Sequence, residues 1–189
     1  MDTQRVSLSK TKVMVTTAIM LGLAAGLSLI KVYKLPLGGS ITALSMLPIC
    51  MVSIVYGVKI GLATSFLYSL IQIAMDLGSI MSMGLTLWTW VGCIAFDYII
   101  AFTVIGLAGM FRKKGTKGVV FGVVLVMILR FASHFVSGVI IFEDWAGWDN
   151  YYLWSLCYNG SYMLPEAIFT AIGAVCLFST SQIKKIIRI

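Results

Sequence analysis

The feature that most constrains the fold is a series of six long apolar runs separated by short polar links. A helix that crosses a bilayer needs about 20 mainly apolar residues, and somewhat shorter ones can be accommodated. The runs also lack the polar face that a surface helix of a soluble domain would carry. They therefore predict six membrane-spanning helices, over residues 13–30, 41–56, 60–75, 87–111, 118–142 and 161–181.

The composition excludes a soluble domain. Of the 189 residues 60% are hydrophobic and only 11% are charged, against roughly 25% charged residues in soluble proteins. The four cysteines lie far apart and form no CxxC pair, so we expect neither a disulfide framework nor a metal site. The first run has no evident cleavage site and is read as a span, not as a signal peptide. We expect one domain over residues 1–189, an all-α integral membrane protein that forms a six-transmembrane-helix bundle.

The distribution of charge predicts the orientation of this bundle. The net charge is +7, and eleven of the fourteen lysines and arginines lie in the two terminal segments and in the second and fourth links. These are Arg5, Lys10, Lys12, Lys59, Arg112, Lys113, Lys114, Lys117, Lys184, Lys185 and Arg188. Because cytoplasmic loops carry the excess of cations, both termini are expected in the cytoplasm. Cations clustered between spans indicate topology, so no nucleic-acid partner is expected.

The last of the links expected outside is rich in aromatic residues. Three tryptophans and four tyrosines lie between Trp145 and Tyr162. Tryptophan and tyrosine collect at membrane interfaces, which accounts for one or two of them. The surplus favours an aromatic-lined site for a flat ligand, and an interfacial belt is the alternative.

Few ionisable residues lie within the runs, and such residues usually face a cavity or another helix. They are Asp97, Arg130, His134 and Glu166, with Asn159 just before the sixth run. Arg130, His134 and Gly138 recur at four-residue steps and so share one helix face. Three alternatives without a ligand stay open. His134 could be bonded to a neighbouring helix, Arg130 could form an ion pair with Asp97 or Glu166, and Glu166 could be an acid at a helix start, favoured by the helix dipole.

The residue types favour binding over catalysis. The chain has one histidine and lacks the HExxH, GxSxG and GxxxxGK[ST] motifs of metalloproteases, serine hydrolases and P-loop ATPases. A carboxylate among aromatic faces suits a flat cation. The competing hypotheses are a small membrane enzyme that uses Asp97, His134 and Arg130, and a scaffold without ligand. In the first run Ala18 and Gly22, continued by Gly26, form a small-residue stripe that serves either internal packing or a membrane partner.

Four segments resemble the substrate-binding S components of energy-coupling factor (ECF) transporters, and most closely the thiamine-specific ThiT/YuaJ family. They are LPLGGSITALSMLPI (35–49), FDY (96–98), RFASHFVSGVIIF (130–142) and YNGSYMLPEAI (158–168). The resemblance implies a multi-pass protein of a prokaryotic cell membrane that captures thiamine at its outer face. It also implies docking, through a motif that Ala18 and Gly22 resemble, on a transmembrane coupling protein and two ATPase subunits. Those partners use the ATP, and this chain binds no cofactor.

The resemblance also implies a ligand-binding set. Carried over by position it is Asp97, Tyr98, His134, Gly138, Phe142, Trp145, Trp154 and Asn159. The chain departs from the family pattern at three of these places. Asp97 stands where glutamate is typical, Phe142 where some members have a stacking tryptophan that Trp145 could replace, and Trp154 where some have tyrosine. The departures leave a related flat heterocycle, such as the pyrimidine precursor of thiamine, open as an alternative ligand.

Overall fold

The computed structural model describes residues 9–180 and Ile183, and helices dominate this part of the chain. The helices are α1 (Lys10–Leu29), α2 (Met46–Tyr56), α3 (Val58–Ser82), α4 (residues 87–114), α5 (Gly115–Ile140) and α6 (Tyr151–Ser179). Helix α4 runs without a gap through α-helical Leu87–Cys93, π-helical Ile94–Ile100, α-helical Ala101–Thr103 and 3-10 helical Val104–Lys114. Between α1 and α2, strands β1 (Lys31–Lys34) and β2 (Ser40–Thr42) pair antiparallel around a 3-10 turn at Pro36–Gly38. A second 3-10 turn, Glu143–Trp145, joins α5 to α6.

Four continuous helical stretches in the described chain are long and apolar enough to cross a membrane: Lys10–Leu29, Val58–Ser82, Leu87–Ile140 and Tyr151–Ser179. The third stretch contains both α4 and α5. These are two separate helices because the chain reverses direction at Gly115, which has a φ of +72°. A Cβ built at Gly122 of α5 would lie 2.2 Å from the carbonyl oxygen of Ala108 in α4, so the two helices pack backbone against backbone. The fold is that of a helical integral membrane protein.

The second predicted span is wrong in its first third. Its opening residues form β2 and a loop, and α2 has only 11 residues, about 16 Å of helix, too short to cross the hydrocarbon core alone. The reason is tertiary. The backbone of Leu44 adopts a left-handed φ of +62°, and the Thr42 side chain is bonded to Glu166 of α6 at 2.6 Å, so the segment cannot continue as a helix.

The sixth predicted span begins ten residues too late. Helix α6 starts at Tyr151, where the Asn150 side chain accepts a hydrogen bond from the backbone N–H of Leu153 at 3.0 Å. Such a cap stabilises a helix start. Pro165 therefore lies inside the helix, and the tyrosines and tryptophan of 151–158, predicted as a loop, lie on α6. Helix α3 is likewise longer than predicted and carries Asp76 within its last two turns.

The structure places Lys10 and Arg112, two of the cations predicted in the cytoplasm, at one end of the bundle, whereas Lys31 and Lys34 lie in the hairpin at the other end. Arg112, at the end of α4, donates hydrogen bonds at 3.0 Å to the carbonyl oxygens of Ile54 and Val55 at the end of α2. The start of α1 lies at the same end, where Lys10 and Arg112 line a common groove. The predicted cations Arg5, Lys184, Lys185 and Arg188, and the end of the predicted sixth span at 181, lie outside the described residues. The hairpin and the Glu143–Trp145 turn lie at the opposite end.

Close backbone contacts hold α2 against α4. The Ser53 hydroxyl of α2 donates to the carbonyl oxygen of Gly106 at 2.5 Å and accepts from the N–H of Gly109 at 2.9 Å. A Cβ at Gly109 would lie 2.2 Å from the Ser53 carbonyl oxygen. Glycine in α4 thus permits a close approach of α2 to α4 at the end of the bundle opposite the hairpin. The cavity lies towards the hairpin end.

Candidate functional site

A cavity opens at the hairpin end of the bundle, between the hairpin and helices α3 to α6. Its volume is about 140 Å³. Seven of the eight predicted ligand-binding residues line it: Asp97, Tyr98, His134, Gly138, Phe142, Trp154 and Asn159. The eighth, Trp145, does not. It packs edge-on against Phe142, with ring centroids 6.4 Å apart, and is 41% exposed.

Asp97 and Tyr98 enter the cavity from the π-helical part of α4. A π-helical turn inserts extra residues into a helix and is frequent at functional sites. The Tyr98 hydroxyl donates to Asp76 of α3 at 3.3 Å, and Lys31 of β1 lies 3.9 Å from the other oxygen of that carboxylate. Asp76 thus ties α4 to the hairpin at the mouth of the cavity.

The polar centre of the cavity is a carboxylate and an imidazole. Asp97 Oδ1 lies 2.9 Å from His134 Nδ1, and Asp97 Oδ2 accepts a hydrogen bond from the Ser137 hydroxyl at 2.5 Å. The second imidazole nitrogen, His134 Nε2, is buried without a hydrogen-bond partner among the described residues. A buried polar atom without a partner is uncommon and calls for an explanation.

Asn159 is held by its own neighbours. Its amide nitrogen donates to the carbonyl oxygens of His134 at 3.2 Å and Ser155 at 3.0 Å, and its amide oxygen accepts from Tyr162 at 2.8 Å. Gly138 of α5 faces the same place, because a Cβ there would lie 2.2 Å from Ser155 Oγ. Asn159 and Gly138 therefore join α5 to α6 along the cavity wall.

An aromatic wall lies along α6. Trp154 and Tyr158 are stacked with ring centroids 5.2 Å apart and planes 12° apart, and Tyr162 meets Tyr158 edge-on at 5.9 Å. The three residues are four positions apart and so share one helix face. Of the five tryptophans, all within the described chain, only Trp154 lines the cavity. Trp148 is half exposed near Trp145 in the α5–α6 link.

The hairpin closes one side of the cavity and is held by α6. The Tyr158 hydroxyl accepts a hydrogen bond from the Gly39 N–H at 3.1 Å and donates to the Pro36 carbonyl oxygen. A Cβ at Gly39 would lie 2.8 Å from the Tyr162 ring, so glycine is needed for this approach.

The inner end of the cavity contains a buried ion pair. Arg130 Nη1 lies 2.8 Å from Glu166 Oε2, and the two side chains are 7% and 1% exposed. The other oxygen of Glu166 accepts from the Thr42 hydroxyl at 2.6 Å, and the Arg130 guanidinium lies 4.8 Å from the centre of the Phe102 ring. The interpretation of Glu166 as an acid at a helix start is wrong, because α6 begins fifteen residues earlier. Of the two partners considered for Arg130, the structure selects Glu166.

The sequence interpretation missed several residues of the site: Thr42, Ser137, Tyr158 and Tyr162. Tyr158 and Tyr162 continue the four-residue spacing of Trp154, a signal that was hidden because this segment was predicted as a loop. Ser137 lies three positions after His134 and so on the same side of α5. Nothing in the sequence could indicate Thr42, since its partner lies 124 residues away.

Metal chemistry has no support in the described residues, which contain no cluster of three His, Cys, Asp or Glu side chains. All four cysteines belong to this part and are free, Cys50 and Cys93 buried and Cys157 and Cys176 exposed.

The small-residue stripe of α1 faces outward. Ala18 and Gly22 are exposed, and a Cβ at Gly22 or Gly26 would meet no atom within 4 Å. Of the two roles open to this stripe, internal packing is therefore not the one it has in the described chain.

Three comparisons relate the chain to known proteins. The profile of the family "Thiamine transporter protein (Thia_YuaJ)" matches residues 14–186. The "Thiamine transporter ThiT" of Bacillus subtilis (strain 168) is 35% identical over 191 aligned positions, which cover 94% of this chain and 93% of that protein. The solved structure of ThiT from Listeria monocytogenes is similar in fold with a TM-score of 0.74, at 22% identity, covering 95% of this chain and 99% of that one.

Proposed function

Because the chain belongs to the Thia_YuaJ family of thiamine transporter proteins, we propose that its cavity binds thiamine and that the chain is the substrate-binding subunit of an importer. Transport is the role of its named relatives, which removes the small-enzyme and scaffold hypotheses. The observation that carries the proposal is the Asp97–His134 pair, which lies beside the Trp154–Tyr158 stack in a single cavity.

The chemistry of thiamine matches this arrangement. The vitamin combines a cationic thiazolium ring with a flat aminopyrimidine, and a desolvated cation on an aromatic face gains about 2 kcal/mol or more. Trp154 and Tyr158 offer such faces. A carboxylate and an imidazole can read the donor and acceptor edge of the pyrimidine.

The lysine, arginine, aspartate and glutamate side chains that line the cavity are balanced in number, with Lys31, Lys34 and Arg130 against Asp76, Asp97 and Glu166. Arg130 is paired with Glu166, and Lys31 approaches Asp76 at 3.9 Å. Asp97 is bonded to His134 and Ser137, and no lysine or arginine of the described chain lies within ion-pair distance of it. Its carboxylate is therefore the negative charge that a cationic ligand in the cavity would meet.

Calorimetry on the purified chain in detergent, without ATP, tests the proposal. We expect saturable thiamine binding with one site, and a loss of affinity of at least about tenfold in Asp97→Ala, since a hydrogen bond to a charged group contributes roughly 1.5–3 kcal/mol. Trp145→Ala is the matched control, because Trp145 lies beside the cavity without lining it. Absence of saturable binding in the wild-type chain would refute the proposal.

The same titration separates the two ligand classes. The free aminopyrimidine precursor lacks the thiazolium cation, so it should bind more weakly than thiamine if the aromatic wall holds the cation. Tighter binding of the precursor would make it the substrate.

We propose further that the chain delivers thiamine only when docked on a transmembrane coupling protein and two ATPases, through the outward stripe of Ala18 and Gly22. Small residues let a partner helix approach closely, and a larger side chain blocks it. Gly22→Leu should abolish uptake in cells and leave thiamine binding by the purified chain unchanged. Leu23→Phe, at an exposed position of α1 that lies about 100° around the helix from Gly22, is the control and should leave uptake intact. Equal uptake by Gly22→Leu and wild type would place the docking surface elsewhere.

A further inference from the structure

A groove lies at the end of the bundle opposite the hairpin, between the start of α1, the end of α2, the start of α3 and the end of α4. Its volume is about 580 Å³, within the range of roughly 300–1,000 Å³ that small-molecule sites occupy. The described residues that line it are apolar or cationic, and none of them lines the cavity of the candidate site. Binding of thiamine therefore leaves this groove unexplained.

The walls of the groove are apolar and open towards lipid. Met14, on one wall, is 71% exposed although it belongs to a membrane-length helix. The apolar lining continues with Val13, Val55 and Ile60. Tyr56, the last residue of α2, adds an amphipathic ring of the kind that collects at the level of the lipid headgroups. An apolar channel that opens sideways into a bilayer suits an acyl chain.

The charged part of the lining consists of two cations, Lys10 and Arg112. Arg112 has a fixed position, because its Nη1 donates hydrogen bonds at 3.0 Å to the carbonyl oxygens of Ile54 and Val55. Both acceptors are neutral, so these bonds hold the guanidinium without balancing its charge. No aspartate or glutamate within residues 9–180 lies at ion-pair distance from Lys10 or Arg112. The groove thus presents two positive charges that no described side chain compensates.

We propose that the groove binds one anionic phospholipid, whose phosphate contacts Lys10 and Arg112 while an acyl chain lies along Val13, Met14 and Ile60. The phosphate supplies the counter-charge that the described chain lacks. The planar guanidinium also matches the geometry of a phosphate, to which it can donate several hydrogen bonds. The leaflet at this end is the one that the distribution of lysine and arginine predicts to be cytoplasmic, where anionic lipids attract cations at the ends of spans.

Native mass spectrometry of the purified full chain, freed of lipid, tests the preference for charge. Phosphatidylglycerol and phosphatidylcholine with identical acyl chains both carry the phosphate, but only the first has a net negative charge. One cation near a membrane surface favours an anionic lipid by about fivefold, so two cations should make the chain prefer phosphatidylglycerol as its first bound lipid by about tenfold or more. Equal binding of the two lipids would overturn the proposal.

Neighbouring cations separate a site from the overall charge of this end. Arg112→Gln keeps a donor for the end of α2 but removes the charge, so the preference for phosphatidylglycerol should fall by about fivefold. Lys113→Gln is the matched control, because it makes the same change of charge at an exposed position that does not line the groove. Its preference should stay at the wild-type value. Equal losses in the two variants would show that the lipid responds only to total charge.

A second pair of variants keeps the test valid if Arg112→Gln does not fold, which circular dichroism and the elution volume reveal. Lys10→Gln removes the other cation of the groove at an exposed position in the first turn of α1, and the preference should again fall by about fivefold. Lys12→Gln, exposed on the same turn but outside the groove, should retain it. A wild-type preference in Lys10→Gln would remove Lys10 from the site and contradict the proposal.

The apolar part of the site distinguishes a lipid from a free phosphate ester. Ile60→Trp fills the groove and should weaken binding of phosphatidylglycerol by about fivefold or more, as an overpacked side chain does. Leu67→Trp, at an exposed position of α3 outside the groove, should bind this lipid as the wild type does. Glycerol 3-phosphate should fail to displace the lipid. Displacement by equal concentrations of glycerol 3-phosphate would show that the groove binds the phosphate alone and would refute the assigned ligand.

Discussion

Removal of the Glu166 carboxylate should destabilise the protein more than any change at its surface. Glu166→Ala leaves the Arg130 guanidinium buried without the carboxylate to which it is paired at 2.8 Å. Breaking a buried ion pair by removing one partner costs about 3–5 kcal/mol. The Thr42 hydroxyl also loses its partner, so we expect the free energy of unfolding to fall by about 4–5 kcal/mol, in the upper part of that range.

Matched variants separate the parts of this loss. Thr42→Ala removes only the bond between the hairpin and Glu166 and should cost about 1.5 kcal/mol or more, the value for a hydrogen bond to a charged group. Lys31→Ala breaks the pair with Asp76, which is about one-third exposed and 3.9 Å long, and should cost less than about 1 kcal/mol. The double variant Arg130→Met/Glu166→Leu removes both charges and should recover at least half of the Glu166→Ala loss, because an apolar pair of similar volume avoids the buried charge.

Unfolding in mixed micelles, followed with a thiol-reactive dye, measures these differences. Cys50 and Cys93 are buried and free and become reactive on unfolding. A Glu166→Ala variant within about 1 kcal/mol of wild type would refute the reasoning, since such a value belongs to an exposed pair. A double variant less stable than Glu166→Ala would refute it as well.

Three further predictions concern the cavity. Gly138→Ala places a Cβ 2.2 Å from Ser155 Oγ and should weaken thiamine binding by about fivefold or more, since overpacking costs about 1–3 kcal/mol. Gly160→Ala, where the added Cβ has no atom within 4 Å, should bind normally in the same calorimetric assay. Tyr158→Phe removes the hydroxyl that is bonded to Gly39 and Pro36 of the hairpin. Stopped-flow fluorescence should then show thiamine dissociating about fivefold faster, the equivalent of one net hydrogen bond. An unchanged dissociation rate would mean that the hairpin is held by other contacts. Quenching of tryptophan fluorescence by thiamine should disappear in Trp154→Phe and persist in Trp145→Phe, since only Trp154 lines the cavity, and quenching that survives Trp154→Phe would contradict the assigned position of the ligand.

The sequence by itself determined that the chain is a helical membrane protein. Apolar runs of this length and a charged fraction of 11% indicate helices, because a continuous run of about 20 apolar residues satisfies its own backbone polar groups in a bilayer only as a helix. It also determined that His134 and Gly138 share a face, since the helical period does not depend on what surrounds the helix. The family resemblance then supplied the ligand set, seven of whose eight residues line one cavity.

Only the tertiary structure decided where helices α2 and α6 begin and which charges are paired. Hydropathy cannot tell an apolar helix from an apolar hairpin, and residues 41–45 leave the helix because Thr42 bonds to Glu166, 124 residues away. Trp154 and Tyr158 were predicted in a loop, whereas the Asn150 cap starts the helix before them. The partner of Arg130 depended on which helix faces it across the bundle. Helix α6 approaches α5 closely at Gly138, where a Cβ would lie 2.2 Å from Ser155 Oγ. A periodic pattern along one chain does not encode such an approach.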